Sequence, residues 1–338
     1  MTPSRSEARR RWVRLALIAV LLVVIVVVIR GLLGDVDWEQ VRTAIAKLAP
    51  WELVVLVAGL LVRQFLNALP LALFIPGCPP IRAMQNDQAA ILMTTVAPPP
   101  SDVVLRLAMF GSWGISPSAG LAGTLMNTVT FYVVRFGAPL LGIVLMVALG
   151  TFHLGEFVPA VLSGSVSAAL LAVVWLAFRG ETFTVGLARR LARFMGRFRK
   201  GVDPQVWAEW AAEFRDRVVD RVPWALPRSV LALVVMVVVD AALIVASLRF
   251  VGVTASEVPA IEVLVAFLVA YPLTLFPFSG LGILDAVVVA TLLAIEAGAD
   301  EAELVAGFVI WRAITIAGPL VLGLVSVGLW KLQLVRAR

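Results

Sequence analysis

The sequence predicts an all-α, polytopic transmembrane helical bundle. Of its 338 residues, 61% are hydrophobic and 15% are charged, whereas a soluble domain carries roughly 25% charged residues. Apolar runs of about 20 residues recur along the chain, and each is long enough to cross a hydrocarbon core of ~30 Å. Two further apolar segments are interrupted by proline, which predicts two re-entrant (broken) helix hairpins in a candidate inverted repeat.

We interpret the chain as a single integral membrane domain, residues 1–338. Its predicted parts, in order, are a first span (13–33), a first helical half (51–178) with a break near 98–102, a basic cytoplasmic loop (179–228), and a second helical half (229–330) with a break near 277–285. The predicted full-length spans are Val13–Leu33, Trp51–Ile75, 118–150, Phe157–Phe178, Ser229–Phe250 and Val305–Trp330.

Arginine and lysine concentrate in three places. The first fourteen residues hold five of them, residues 179–228 hold eleven, and the C-terminal tail holds three. Cytoplasmic loops of membrane proteins carry an excess of these residues. We therefore predict a multi-pass protein of the cell (cytoplasmic) membrane with a cytoplasmic N-terminus and a cytoplasmic C-terminus.

The basic loop itself has helical patterns. Across 187–198, leucine and phenylalanine fall on one helical face and arginine on the other, which predicts an interfacial helix. Asp203 and Pro204 supply an N-cap and a first-turn proline for a second amphipathic helix. Two compatible interpretations follow: these helices contact anionic lipid headgroups, or they cover the cytoplasmic end of the bundle.

The first break is a run of three prolines at 98–100. Before it we predict a helix from Asp87 to Ala97, which at 1.5 Å per residue reaches ~15 Å, about half the membrane. After it we predict a new helix, Asp102–Ser112, with Ser101 as its N-cap.

The second break, 276–282, separates a predicted helix at Ile261–Leu275 from another at Ile283–Ala297. Non-helical backbone at membrane depth is tolerated only inside protein or along a water-filled cavity. The alternative for both breaks is that proline and glycine only kink full-length spans.

Ionised side chains within the predicted spans are the candidate site residues, since each costs ~2.5–3.5 kcal/mol at the centre of a bilayer. They are Arg63, Arg135, Asp240 and Arg312 in the spans and Asp102, Arg106 and Asp285 at the breaks, with Asn67 on the same helix face as Arg63. In one interpretation they form ion pairs between helices, for example Asp240 with Arg63, Arg135 or Arg312.

In the other interpretation these side chains line a polar groove for an anionic headgroup, with arginine as the phosphate partner. Arg106, Arg63 and Arg312 would then contact the headgroup. Asp102, Asp240 and Asp285 would orient them or carry protons.

Three short motifs resemble those of one family. The run Pro98–Arg106 resembles the P-x-x-x-G-E-x-x-R segment of the lysylphosphatidylglycerol synthase transmembrane region, also called the flippase-like family. The run Pro277–Asp285 is similar to that family's P-x-x-G-G-x-G-x-x-E, and Gly307–Arg312 to its late aromatic-arginine position. With Asp102 and Asp285 placed at the glutamate positions, Ser101 and Ser279 fall at glycine positions, and Pro98, Arg106 and Pro277 each lie one residue away from the motif spacing.

This resemblance implies a membrane module that translocates lipids, aminoacylated phosphatidylglycerol among them. It adds Ser101, Ser279, Gly280 and Gly282, at motif positions, to the substrate-binding candidates. The family's synthase activity belongs to a separate soluble domain. Because the chain ends eight residues after Trp330, we expect no aminoacyl transferase activity, and because no catalytic motif is recognisable we expect no other enzymatic function.

The sequence therefore predicts a lipid flippase-like transporter whose partners are membrane lipids, especially those with anionic headgroups. A homo-oligomer is compatible with it, and a nucleic-acid partner is not expected. The chain has one cysteine and one histidine and neither a P-loop nor a G-x-S-x-G motif, so no metal or cofactor is predicted. The alternatives are a membrane glycosyltransferase with Asp35 or Asp37 as catalytic acid, and a non-catalytic scaffold that recruits partners through 184–221.

Overall fold

The computed structural model describes residues 43, 46, 48–97, 100–150, 154–196, 203–295 and 300–336. Every regular element in these ranges is helical. The predicted first span, 13–33, and both candidate catalytic acids, Asp35 and Asp37, lie outside the described residues, so these predictions stay untested.

We number the α-helices in chain order. They are α1 (Pro50–Phe74), α2 (Pro80–Val96), α3 (Ser101–Ser112), α4 (Pro117–Leu149), α5 (Leu154–Arg179), α6 (Glu181–Gly196), α7 (Pro204–Val218), α8 (Val222–Val251), α9 (Ala260–Ala270), α10 (Pro277–Gly280), α11 (Ile283–Ile295), α12 (Glu301–Arg312) and α13 (Gly318–Arg336). A 3₁₀ turn, Tyr271–Leu275, follows α9, and a π-helical turn, Ala313–Ala317, joins α12 to α13.

Five helical segments are long and apolar enough to cross a membrane. They are Pro50–Phe74, Pro117–Leu149, Val158–Trp175, Val222–Val251 and Glu301–Val335. They coincide with the five predicted spans that fall in the described ranges, and the prediction of an all-α polytopic bundle is confirmed. The largest difference is at α8, which begins at Val222 rather than Ser229, because Pro223 fits the first turn of a helix, where its missing N–H costs nothing.

Helix α8 lies at the centre of the bundle, where α1, α4, α9 and α12 pack against it. The buried core runs along it, from Leu233 to Val251, and joins apolar side chains of the helices around it. Gly307 of α12 faces Leu248 so closely that a Cβ there would lie 2.6 Å from the leucine Cδ2. Small residues of this kind let membrane helices approach one another.

The helix before the first break is longer than predicted. Helix α2 begins at Pro80 rather than Asp87 and has 17 residues, which is about 25 Å. The four polar residues 85–88 do not end the helix, because they are buried against protein and hydrogen-bonded. Helix α3 begins at Ser101 itself and Pro100 takes the N-cap position, so the prediction of Ser101 as N-cap is wrong.

Both proline breaks end a helix. Ala97 and Phe276 are extended, with ψ angles of 151° and 157°, and in each case the chain folds back so that the two arms pack together, α2 on α3 and α9 on α11. Four other prolines lie inside continuous helices: Pro70, Pro139, Pro159 and Pro227. Re-entry of the two hairpins into a bilayer and their relation as an inverted repeat stay predictions.

The basic loop forms α6 and α7, which pack on each other. Asp203 caps α7 as predicted, since its carboxylate accepts a hydrogen bond of 2.8 Å from the backbone N–H of Gln205. Phe214 of α7 packs beside Ala122 and Met126 of α4. Helix α7 therefore covers one end of the bundle, and the lipid-contact interpretation stays open beside this one.

Candidate functional site

Three of the predicted arginines each pair with an aspartate. The pairs are Arg63 Nε–Asp240 Oδ2 at 2.9 Å, Arg106 Nη2–Asp87 Oδ1 at 2.7 Å and Arg312 Nε–Asp285 Oδ1 at 2.7 Å. No side chain among the six is more than 18% exposed. Each pair therefore neutralises a charge that would otherwise be costly in the apolar interior.

The Arg63–Asp240 pair links α1 to α8. Asp240 also accepts a hydrogen bond of 2.9 Å from the indole Nε1 of Trp311 on α12, and Arg63 donates to Gln64 Oε1. Of the three partners that the sequence left open for Asp240, the structure selects Arg63. Three helices are joined at this carboxylate.

The Arg106–Asp87 pair lies beside the first break and joins its two arms. Asp87 also accepts from Asn67 Nδ2 at 2.7 Å, and Arg106 donates to Asn86 Oδ1 at 3.0 Å. Asn67, predicted as a neighbour of Arg63, is thus held by Asp87 instead. Sequence reasoning missed Asp87 as a charge partner, although four consecutive polar residues in an apolar stretch were a usable signal.

The Arg312–Asp285 pair fastens the second break. Arg312 Nη2 also donates to the carbonyl oxygen of Ser279 at 3.2 Å, and the second oxygen of Asp285 accepts from the backbone N–H of Gly282 at 2.8 Å. One arginine and one aspartate thereby hold both sides of the loop. The loop is tightly wound, because Ser279, Gly280 and Gly282 all have left-handed backbone with φ of 56°, 73° and 81°.

Glycine is required at one of these positions for a second reason. A Cβ on Gly280 would clash with the carbonyl oxygen of Leu273. Ser279 adopts a conformation that serine rarely takes, and such backbone tends to cluster at functional sites.

Arg135 of α4 has no carboxylate partner among the described residues. Its guanidinium lies over the rings of Phe131 and Tyr132, with its central carbon 4.6 Å and 5.4 Å from the ring centroids. Its Nε is buried and has no hydrogen-bond acceptor in the described structure. Cation–π contact offsets part of the burial cost, but it does not satisfy the Nε–H.

A cleft of about 680 Å³ lies between the two breaks. Its wall comes from α1, the end of α2, α4, the loop at the second break, the π-helical turn and the start of α13. The polar lining residues are Arg63, Gln64, Asn67, Thr94, Thr95, Asn127, Thr128, Tyr132, Arg135, Ser279 and Thr315. A smaller cavity of about 40 Å³ adjoins it and reaches Asp240, Tyr271, Trp311 and Arg312. A cleft this polar within a bundle of apolar helices can hold a polar group and water.

The family model for the lysylphosphatidylglycerol synthase TM region matches residues 11–323. The chain belongs to this family. Comparison with curated proteins and comparison with solved structures gave no match. Membership makes it a membrane protein of a family involved in lipid modification or transport.

The predicted site residues of this family member divide into four groups by position. Arg63, Asn67, Arg135 and Ser279 line the cleft, and Arg312 and Asp240 line the adjoining cavity. Asp285, Gly280 and Gly282 shape the second break behind it. Arg106, Ser101 and Asp102, all on α3, are not among the described residues that line either space.

Proposed function

We propose that this family member is a lipid transporter that moves a polar lipid across the cytoplasmic membrane without chemical change. The headgroup passes through the cleft while the acyl chains stay in the bilayer. The observation that carries this proposal is the 680 Å³ cleft, lined by polar residues, between the end of α2, just before the first break, and the loop at the second break. Paired broken segments of this kind form the substrate sites of several transporter folds.

The wall of the cleft suits a headgroup. Amide, hydroxyl and guanidinium groups replace the hydration that a phosphate or glycerol would otherwise lose. The apolar lining residues Ile91, Ile316 and Leu320 lie at the same wall. This mixture suits an amphiphile better than a fully hydrated ion. The driving force would be a lipid gradient or a coupled ion.

A transport assay in proteoliposomes tests the proposal. A fluorescent phospholipid is placed in both leaflets, and its movement is followed by chemical quenching of the outer leaflet. Thr128→Trp places a bulky ring in the cleft, and we expect the transport rate to fall to that of protein-free liposomes. Leu125→Trp, on the same helix, is the matched control, because Leu125 is not among the lining residues.

Water access to the cleft is measured separately by thiol labelling. We expect little background labelling of the native Cys78. Burial raises the pKa of its thiol to about 11, and the thiolate is the form that reacts. We expect Thr128→Cys to react with a membrane-impermeant maleimide and Leu125→Cys to be unreactive. A transport rate unaffected by Thr128→Trp, or a cleft closed to the maleimide, contradicts the proposal.

A further inference from the structure

The charge inside the cleft is unbalanced. Arg63 and Arg135 are its charged lining residues among those described, and no carboxylate lines it. Asp240 neutralises Arg63 at 2.9 Å. The cleft wall therefore carries one uncompensated positive charge, that of Arg135.

Arg135 is the last of three cleft-lining residues on one face of α4. Asn127, Phe131 and Arg135 are spaced four residues apart, so they share one helical face, and all three line the cleft. The rings of Phe131 and Tyr132 contact the face of the guanidinium, and its buried Nε–H has no hydrogen-bond acceptor in the described structure. The side-chain oxygen of Asn127, two turns away, is also buried without a hydrogen-bond partner in the described structure.

The other intramembrane arginines cannot take an anion at comparable cost. Binding through Arg63, Arg106 or Arg312 would leave a buried aspartate without its counter-charge, which is strongly unfavourable. Binding at Arg135 breaks no ion pair. It also supplies an acceptor for the guanidinium, whose buried Nε–H lacks one in the described structure.

We propose that Arg135 binds the phosphate of a lipid whose headgroup has a net negative charge, and that a net cationic aminoacylated lipid is disfavoured. The inference rests on the proposed transport function and names its substrate class. The ammonium groups of an aminoacyl headgroup would find no free carboxylate in the cleft, since Asp87, Asp240 and Asp285 are each held by an arginine. They would also be repelled by Arg135.

Native mass spectrometry of the full chain tests the lipid preference directly. The detergent-solubilised protein is offered equal amounts of phosphatidylglycerol and lysylphosphatidylglycerol. We expect retention of phosphatidylglycerol to exceed that of the cationic lipid by about tenfold, the effect of one charge-assisted contact. This comparison on the wild type needs no variant, so it stands even if a substitution impairs folding.

Variants assign the preference to Arg135. We expect Arg135→Gln to retain the two lipids equally and Arg135→Lys to keep most of the preference. Arg228→Gln is the matched control, because Arg228 also stacks on an aromatic ring, at 5.6 Å over Trp224, but lies outside the cleft lining. Glycerol 3-phosphate added as a competitor separates a lipid site from a site for soluble phosphate esters, and we expect it not to displace the lipid.

The outcomes distinguish the two proposals. Equal retention of both lipids by the wild type, an unchanged preference in Arg135→Gln, or displacement by glycerol 3-phosphate overturns the inference. Proteoliposome transport of both lipids at one rate, unaffected by Arg135→Gln, overturns it and leaves transport standing. An Arg135-dependent preference without any lipid movement supports the anionic site and overturns the transport function.

Discussion

The two proline breaks are stabilised differently. At the first break, Arg106 and Asp87 lie on opposite arms of the hairpin, so the ion pair clamps α3 to α2. At the second, Asp285 lies directly after the break and Arg312 reaches it from the following helix, α12, while also holding the carbonyl of Ser279. The first clamp acts on the arms, and the second acts on the loop that lines the cleft.

This difference shows the limit of matching motifs. By sequence, Asp102 and Asp285 hold comparable positions, each following a proline break, two residues after Pro100 and eight residues after Pro277. In the structure Asp285 is buried and paired, whereas Asp102 is half-buried in the first turn of α3 and forms no ion pair with Arg63, Arg106 or Arg312. The counterpart of Asp285 in charge pairing is Asp87, which comes before its break rather than after it.

The largest effect is expected at the second break. Arg312→Gln leaves Asp285 buried without its counter-charge, and loss of one partner of a buried pair costs about 3–5 kcal/mol. Asp285→Asn should cost a similar amount, and the double variant less than the sum of the two. Unfolding in mixed micelles measures the free energies. Additive losses would show that the pair is not a coupled unit.

The first break should be the next most sensitive. Asp87→Asn removes the charge that faces Arg106, but Asn86 and Asn67 remain as polar neighbours. We therefore expect a smaller loss of unfolding free energy, about 2–3 kcal/mol. Limited proteolysis near residue 100 should increase, because the clamp between α2 and α3 is weakened. A loss larger than that of Arg312→Gln would reverse the ranking of the two breaks.

Much of the fold could be predicted because it follows from local rules. Apolar runs of membrane length predicted the spans, and proline at two interrupted segments predicted that helical structure stops at the extended residues Ala97 and Phe276. The start of α2 could not be predicted the same way. Its residues 85–88 are polar, and only tertiary hydrogen bonds, such as Gln85 to the Ser326 carbonyl on α13, keep them inside the bundle.

The site could be predicted only in part for the same reason. The sequence identified Arg63, Arg135 and Arg312 as intramembrane charges, since ionised residues stand out in apolar runs. Which of them keeps a free charge depends on where the aspartates lie in space. Asp87 and Asp240 are 153 residues apart in the chain. No local sequence pattern shows that Asp87 pairs with Arg106, that Asp240 pairs with Arg63, and that Arg135 has no carboxylate partner among the described residues.

Backbone geometry at the second break offers a third test. Gly280→Ala puts a Cβ against the Leu273 carbonyl at a φ of 73°, and we expect a loss of about 2 kcal/mol. Gly111→Ala, at the C-terminal end of α3, is the control, because a Cβ there meets no atom within 4 Å. Thermal unfolding in detergent compares the two. Equal midpoints would show that the second loop is not the tightly constrained one.

The smallest effect is expected at Asp102, which makes it the most direct test of the comparison. In the first turn of α3 its carboxylate interacts with the positive end of the helix dipole, a contribution of about 0.5 kcal/mol. Asp102→Asn removes only that interaction, so the free energy of unfolding should fall by no more than about 0.5 kcal/mol. The rate of lipid transport should match that of the wild type. If Asp102 were the equivalent of Asp285, the same substitution would leave an arginine unpaired and cost several times as much. A loss near that of Asp285→Asn would therefore restore the motif-based equivalence and reject Asp87 as the true counterpart.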